Sequence, residues 1–144
     1  MVVWRLSRER HADLSGMGGL AQPGRCHAGG HLVVYATEHL ALAVLEIRVR
    51  TKEAPADFVA MEIELPDDSI ATLAELPFDW RDRIDWSRAA GEAWLRSKSS
   101  VALAVPSAVV LGCTNYLLNP LHQRFGAVTI KRKQRFDFDV RLFQ

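Results

Sequence analysis

The sequence is poor in the features that mark secreted, disulfide-stapled and membrane-spanning proteins. Only two of its 144 residues are cysteines, Cys26 and Cys113, so no disulfide framework can replace a hydrophobic core and a reducing compartment is favoured. The longest uninterrupted apolar run covers residues 40–45, which is far too short to cross a bilayer. Residues 1–10 lack the apolar core of a signal peptide. We therefore expect a soluble cytoplasmic protein without membrane contact.

The chain also lacks an excess of either charge. It has 18 Lys and Arg residues against 17 Asp and Glu residues, for a net charge of +1, so no overall field attracts nucleic acid. The one basic run, residues 131–135, is expected to form a solvated turn between two strands rather than a nucleic-acid contact. A hydrophobic fraction of 49% and this length predict one globular domain over residues 1–144.

The hydrophobic pattern predicts more strands than helices, and hence an α+β fold. Seven strands are expected, at residues 2–6, 31–36, 58–65, 101–105, 108–111, 126–131 and 135–143. One helix is expected from an N-cap at Thr37 to about Arg50, apolar almost all round and therefore buried on most sides. A second helix is expected from Asp85 or Ser87 to about Arg96. Residues 7–30, with six of the nine glycines, and residues 66–86 are expected to be irregular.

Two familiar site patterns are not met. Gly16, Gly18 and Ala21 have the spacing of a dinucleotide-binding loop, but no apolar strand precedes them and no helix pattern follows. No Cys-x-x-Cys pair exists, so we expect no metal site among the dispersed cysteines and histidines, which are Cys26, His27, His31, Cys113 and His122.

Glu46 is the most informative single residue. On a helix it shares a stripe with Leu42, Leu45 and Val49, and a carboxylate in apolar surroundings is costly unless it is paired or used. Two interpretations stay open from the pattern alone: a functional carboxylate, or a structural one that lies at the helix edge or pairs with Arg48 or Arg5.

Arg25 and Tyr35 flank the predicted buried strand that precedes this helix. Arg25 lies in a glycine-rich loop, where a guanidinium can hold a diphosphate and glycines let the backbone approach a ligand; it could equally be a solvated loop arginine. Tyr35 lies near the end of the strand, and either packs in the core or serves as a stacking platform.

Two long segments of the chain resemble the RES family. The string PGRCHAGGHLVVYATEHLALAVLE resembles the family's central motif, a glycine–arginine loop followed by a strand ending in tyrosine and a helix with Leu-Glu. The family's second half is resembled by the string GEAWLRSKSSVALAVPSAVVLGCTNYLLNPLHQRFGAVTI. The family's C-terminal motif is resembled by RFDFDVRLF. The resemblance covers nearly the whole chain.

The resemblance implies an ADP-ribosyltransferase-like fold, with mixed or antiparallel sheets and flanking helices. It implies the toxin enzyme of an Xre–RES toxin–antitoxin pair, which degrades NAD+ by cleaving the nicotinamide–ribose bond through phosphorolysis or hydrolysis. No cofactor is implied, since NAD+ is the substrate and inorganic phosphate a possible co-substrate. The implied partner is an Xre-type antitoxin that carries the DNA-binding role in a hetero-oligomer.

The same resemblance implies catalytic and substrate-binding roles for individual residues. It implies that Glu46, Arg25 and Tyr35 are catalytic and line one pocket: Glu46 beside the ribose, Arg25 on the diphosphate and Tyr35 against nicotinamide or a ribose hydroxyl. It implies a substrate-binding role for Ser107, which would position a hydroxyl or the incoming phosphate, and for Arg5 and Asn119.

The sequence departs from the family pattern at one point of the glycine–arginine loop. Cys26 and His27 stand where the family usually has Trp-Asn, so a packing aromatic ring and a loop amide are replaced. Two alternatives therefore stay open beside the NAD+-degrading enzyme: ADP-ribosyl transfer to a macromolecule, and a non-catalytic copy that only binds its antitoxin.

Overall fold

Seven β-strands form one sheet in the computed structural model, which describes residues 1–144. The strands are β1 (Val2–Arg8), β2 (Val34–Thr37), β3 (Phe58–Glu64), β4 (Ile70–Thr72), β5 (Ala102–Pro106), β6 (Thr114–Leu118) and β7 (Thr129–Phe136). The helices are α1 (Gly18–Ala21), α2 (Leu40–Arg48) and α3 (Ile84–Ser97), with single 3-10 turns at Glu9–His11, Trp80–Asp82, Phe125–Ala127 and Val140–Phe143. The predicted α+β class is confirmed. None of the helices is both long and apolar enough to span a membrane.

The strand order is β4-β5-β6-β2-β1-β3-β7, and every neighbouring pair is antiparallel except β4 with β5. The centre of the sheet is its weakest point, because β1 and β2 are paired only at Trp4 and Thr37. By contrast, β1 and β3 are paired along their whole length, from Val2–Glu64 to Arg8–Phe58. The sheet therefore opens between β1 and β2, beside the residues that the sequence analysis singled out.

Successive side chains of each strand face opposite sides of the sheet, and the apolar ones pack into three clusters. In β5, Leu103 and Val105 pack beneath α3 with Trp94, whereas the intervening Ala102 and Ala104 belong to the largest cluster on the opposite face. A third cluster holds α2 against β1, β3 and the C-terminal phenylalanines; its members are Leu6, Ala43, Phe58, Ala60 and Phe138. These contacts place α3 over β5 and β6 and α2 over β1 and β3, with β2 lying between the two pairs.

The C-terminal half departs from the predicted strands. Residues 108–111 form a turn instead of a strand, and the strand that follows is β6, which the sequence analysis missed. The predicted pair at 126–131 and 135–143 is wrong, because β7 runs unbroken through residues 129–136 and a 3-10 turn follows at Val140–Phe143. The basic run therefore lies in an edge strand rather than in a turn. Charged side chains on an edge strand hinder pairing with another chain.

The helix starts were also predicted incorrectly. Thr37 ends β2, where its hydroxyl donates to the His39 carbonyl (2.7 Å), and His39 is the N-cap of α2. The second helix begins at Ile84, ahead of both predicted caps. Of the nine residues of α2 only two are fully buried, and Leu45 keeps 39% of its surface exposed, so the helix lies on the sheet rather than inside the core. The irregular segment predicted at 66–86 contains the short strand β4.

Candidate active site

The Glu46 carboxylate lies between α2, the turn after β5 and strand β6. One of its oxygens, Oε1, accepts a hydrogen bond from Ser107 Oγ (2.9 Å) and another from Asn115 Nδ2 (2.8 Å), while Oε2 has no partner in the chain. The interpretation of Glu46 as an ion-pair partner is wrong, because Arg48 donates instead to the carbonyls of Leu142 and Thr51 and Arg5 donates to the Tyr35 carbonyl. Glu46 is thus a half-buried carboxylate, held by neutral donors with one oxygen free.

Ser107 reaches Glu46 from a tight turn. Its backbone N–H donates to the Cys113 carbonyl (2.9 Å), and its Oγ accepts from the backbone of Val109 (3.1 Å) and Val110 (3.0 Å). The side chain is completely buried. A hydroxyl has one proton to donate and two lone pairs, so every hydrogen-bonding position of Ser107 is filled. The turn therefore holds the Ser107 hydroxyl in place, and this hydroxyl orients the Glu46 carboxylate.

Asn115 is the site residue that the sequence analysis missed. In β6 it is paired with Thr37 of β2, and alternation places it on the same side of the sheet as Leu117 and Tyr35. Diagonal neighbours in an antiparallel pair lie about 7–8 Å apart, which brings Asn115 close to Tyr35. Its Oδ1 is buried without a partner. The sequence signal was present, since the NYLLN string has two asparagines, and only the second was selected.

Tyr35 is tied to the glycine–arginine loop by its hydroxyl. The Oη accepts from the Cys26 N–H (3.2 Å) and lies 2.6 Å from His27 Nδ1, while His27 Nε2 lies 3.0 Å from the Gly19 carbonyl. A carbonyl can only accept, so Nε2 carries the proton and Tyr35 donates to Nδ1. Burial raises the pKa of the Tyr35 hydroxyl, which keeps it available as this donor.

Helix α3 clamps the same loop from the other side. Arg88 Nε donates to the Gly24 carbonyl (3.0 Å), and the Glu92 carboxylate accepts from the Ala28 N–H (2.6 Å). Gly91 allows the helix to touch Cys26, because a side chain there would collide with the Cys26 carbonyl. Burial raises the pKa of the Cys26 thiol to about 11; the charge of Arg25 lowers this pKa and that of Glu46 raises it. Both charged groups therefore act on one buried thiol.

Arg25 itself holds the segment that follows β4. Its Nη2 donates to the backbone carbonyls of Trp80 (3.2 Å) and Arg81 (2.5 Å), and its guanidinium lies 5.6 Å from the centre of the Trp80 ring. Arg81 in turn donates to the Ala108 carbonyl, in the turn that carries Ser107. The Arg25 Nε is buried without a partner. Arg25 thus connects the loop to the surroundings of Glu46 and keeps one donor unused.

Arg5 fills the opening between β1 and β2. Its Nη1 donates to the Tyr35 carbonyl (3.2 Å), and its buried Nε has no partner. Burial lowers the pKa of Arg5, a change that Asp13 opposes and the neighbouring Arg50 reinforces. Arg50, which the sequence analysis did not single out, donates from Nε to the Glu46 carbonyl (3.2 Å).

The chain has three buried side-chain polar atoms without a hydrogen-bond partner, and all three belong to this region. They are Arg5 Nε, Arg25 Nε and Asn115 Oδ1. Buried polar groups are nearly always satisfied, so an unpartnered set indicates a place where a ligand or water completes the bonding. Two donors and one acceptor suit a ligand with both anionic oxygens and hydroxyl groups.

The structure does not bring Asn119 to Glu46. It follows the far end of β6, where its Nδ2 donates to the Leu95 carbonyl (2.9 Å) and its Oδ1 accepts from the Leu121 N–H (3.1 Å). The side chain is 1% exposed. These bonds join α3 to β6, and a substrate-binding role for Asn119 stays a prediction.

Two cavities border the site without containing Arg25, Tyr35 or Glu46. One of about 350 Å³ lies beyond β1, with Glu9, Asp57 and Lys133 in its lining. The other, of about 440 Å³, is lined by residues of β4, β5 and β6 and reaches Cys113.

The fold and this site define a class: an α+β domain with one carboxylate oriented by a serine and an asparagine, and arginines around it. The chain belongs to the RES domain family, which matches residues 2–139. It is 40% identical to "Toxin Res" of Pseudomonas putida over 148 residues, covering 99% of this chain and 100% of that protein. It is 30% identical over 156 residues to the "Prs ADP-ribosylating toxin" of a Sphingobium species, covering 98% of this chain and 96% of that protein.

A solved structure has the same fold. The M. tuberculosis MbcT–MbcA toxin–antitoxin complex contains a chain that matches with a TM-score of 0.72, over 99% of this chain and 86% of that one. The sequences are 16% identical, so the likeness concerns the fold alone.

Proposed function

We propose that this protein is a toxin enzyme that degrades NAD+ by cleaving its nicotinamide–ribose bond. The observation that carries the proposal is the Glu46 carboxylate, with Oε1 held by Ser107 and Asn115 and Oε2 free. Membership of the RES family and the toxin names of its relatives support the same conclusion.

The chemistry requires little more than a well-placed negative charge. When the C1–N bond of NAD+ breaks, its electron pair returns to the pyridinium nitrogen and nicotinamide leaves neutral, so no acid is needed. The ribosyl carbon becomes cationic and is then attacked by phosphate, giving ADP-ribose 1-phosphate, or by water, giving ADP-ribose and a proton. Glu46 Oε2 would stabilise the cationic ribosyl centre at the transition state.

Positive charge around Glu46 fits the two phosphates of NAD+. Arg5 and Arg25 each have a free Nε, and the charges of Arg50 and Arg88 both act on Tyr35. A diphosphate bound by such donors would anchor the dinucleotide, so that binding far from the reacting bond orients the ribose. The same cations would accept inorganic phosphate as the co-substrate. The unpartnered Oδ1 of Asn115 would accept from a ribose hydroxyl.

Ser107, Tyr35 and His27 act by positioning other residues of the site. The Ser107 hydroxyl is already saturated, so we assign it to positioning Glu46 rather than to touching phosphate. The Tyr35 hydroxyl is likewise engaged and its ring packs beside His27 and Gly24, which assigns it to holding the loop of Arg25. His27 supplies a ring against Tyr35 and a donor to Gly19, so the departure from the family's Trp-Asn leaves the loop packed and bonded. This favours a catalytic copy over a degenerate one.

ADP-ribosyl transfer to a macromolecule is the second candidate. The name of the Sphingobium relative favours it, and the chemistry differs only in the nucleophile that attacks the ribosyl carbon. Incubation with radiolabelled NAD+ and cell lysate separates the two: transfer labels macromolecules, whereas phosphorolysis or hydrolysis releases only small products.

We further propose an antitoxin of the Xre type as the partner that restrains the enzyme in the cytoplasm, where NAD+ is consumed, and that supplies the DNA contact. Two large apolar side chains flank the site: Phe78 is fully exposed beside the segment held by Arg25, and Leu111 is 65% exposed in the turn of Ser107. A partner that covers both would also cover Glu46. Mixing the purified pair should abolish NAD+ consumption, and unchanged consumption by the complex would contradict this partner role.

The decisive experiment is to incubate the purified protein with NAD+, with and without phosphate, and to resolve the products by chromatography. Glu46→Gln keeps the shape and removes the charge, so turnover should fall at least about a hundredfold, as for loss of one electrostatic transition-state group. Glu53→Gln, on an exposed glutamate away from the site, is the matched control. Unchanged turnover in a folded Glu46→Gln variant would refute the proposal.

A further inference from the structure

A second cluster of chemically reactive side chains lies beside the Glu46 site. Glu38, His39 and Cys113 each direct one ligand atom toward the others, and all three atoms lie within 4.8 Å of one another. His39 Nε2 and Glu38 Oε1 are 3.8 Å apart. Ligands around a tetrahedral zinc ion lie about 3–4 Å apart, given bonds of about 2.0–2.3 Å. The cluster is therefore within small side-chain movements of a metal-binding arrangement.

The backbone preorganises this cluster. The Glu38 N–H donates to the Thr114 carbonyl (3.1 Å), and the Thr114 N–H donates back to Glu38 Oε1 (2.7 Å). This pair of bonds locks the residue after β2 to the start of β6, beside Cys113. The bond to Glu38 Oε1 also orients the carboxylate, as hydrogen bonds from outer groups do for metal ligands.

From these contacts we infer a divalent metal site with Glu38, His39 and Cys113 as ligands, suited to zinc. A thiolate, an imidazole nitrogen and a carboxylate oxygen form a mixed set that zinc accepts, whereas calcium and magnesium require oxygen ligands alone. Three protein ligands leave a fourth position for water. The negative charges of the Cys113 thiolate and the Glu38 carboxylate outweigh the half positive charge at the start of α2, which alone would oppose a cation.

The site is accessible to an ion from solvent. His39 keeps 55% of its side chain exposed, and Cys113 lines the cavity of about 440 Å³ between β4, β5 and β6. Metal binding must displace the thiol proton, so affinity should rise with pH. Because the Cys113 carbonyl accepts from the Ser107 N–H, a metal at Cys113 would stiffen the turn that orients Glu46. The inferred site does not depend on the proposed NAD+ chemistry.

Cobalt(II) titration of the metal-free protein tests the site optically, because a cobalt–thiolate bond gives a charge-transfer band that zinc then abolishes by displacement. We expect one cobalt ion per chain, loss of the band in Cys113→Ser, and at least about tenfold weaker binding in His39→Asn. His11→Asn, on an exposed histidine without side-chain partners, should bind like the parent protein. A parent protein that gives no band, or a Cys113→Ser variant that retains it, would overturn the inference.

Discussion

Ser107→Ala tests whether Glu46 depends on its neighbours for its geometry. The substitution removes the donor at 2.9 Å from Glu46 Oε1 and leaves Asn115 as the sole remaining donor. It also removes the acceptor for the N–H groups of Val109 and Val110, so the turn loses two of its internal bonds and keeps the backbone bonds to and from Cys113. The variant therefore perturbs both the carboxylate and the loop that faces it, without removing any group proposed to contact substrate.

The magnitudes follow from those three bonds. A hydrogen bond to a charged group contributes about 1.5–3 kcal/mol, and each buried N–H left unsatisfied costs about 1–3 kcal/mol. Val109 and Val110 are half-exposed, so water replaces part of the loss, and we expect destabilisation of about 2–4 kcal/mol. A misplacement of about 1 Å costs up to about a hundredfold in rate. With Asn115 still in place, we expect kcat to fall about ten- to a hundredfold.

The assay separates positioning from general destabilisation. NAD+ turnover is measured below the unfolding transition, and KM should stay within about twofold because Ser107 contacts no substrate. Ser100→Ala is the matched control: Ser100 is buried, donates to the Ala102 carbonyl and accepts from Trp94 Nε1, but lies away from Glu46. It should lose stability and keep kcat. Equal kcat losses in the two variants, or a Ser107→Ala variant with parental kcat, would refute the reasoning.

Two further predictions concern the glycine–arginine loop. Arg25→Ala should raise KM for NAD+ with kcat within about threefold, because its contacts exist already in the ground state; a selective fall in kcat would contradict this. The Cys26 thiol, with its pKa raised to about 11, stays protonated in the folded protein while the unfolded thiol ionises near pH 8.5–9. Stability should therefore fall as pH rises through this window, by about 2 kcal/mol more in the parent than in Cys26→Ala between about pH 8.5 and about pH 10.5. Urea unfolding measures this difference, and parallel pH profiles would disprove it.

The sequence predicted those strands whose apolar residues alternate or are fully buried. Strand β3 follows its predicted range almost to the residue, since Met61 and Ile63 are buried on one face and Glu62 and Glu64 mark the other face. Strand β7 was divided incorrectly because six of its eight residues are exposed and four are charged, so its strand conformation comes from pairing with β3 rather than from burial. An edge strand has one neighbour, and its own pattern carries correspondingly little information.

In the candidate site too, local pattern identifies one residue and misses another whose role depends on strand pairing. Glu46 was identifiable because a carboxylate among leucines and valines on a helix is anomalous by local pattern alone. Asn115 was not, because its significance arises from a register that pairs residue 115 with residue 37 and from the turn after Ser107, whose residues 108–111 the local pattern predicted as a strand. Likewise Glu38 and Cys113 are 75 positions apart and meet only through the bonds between Glu38 and Thr114. Local chemistry thus identifies the anomalous carboxylate, whereas long-range pairing decides which neutral donors orient it.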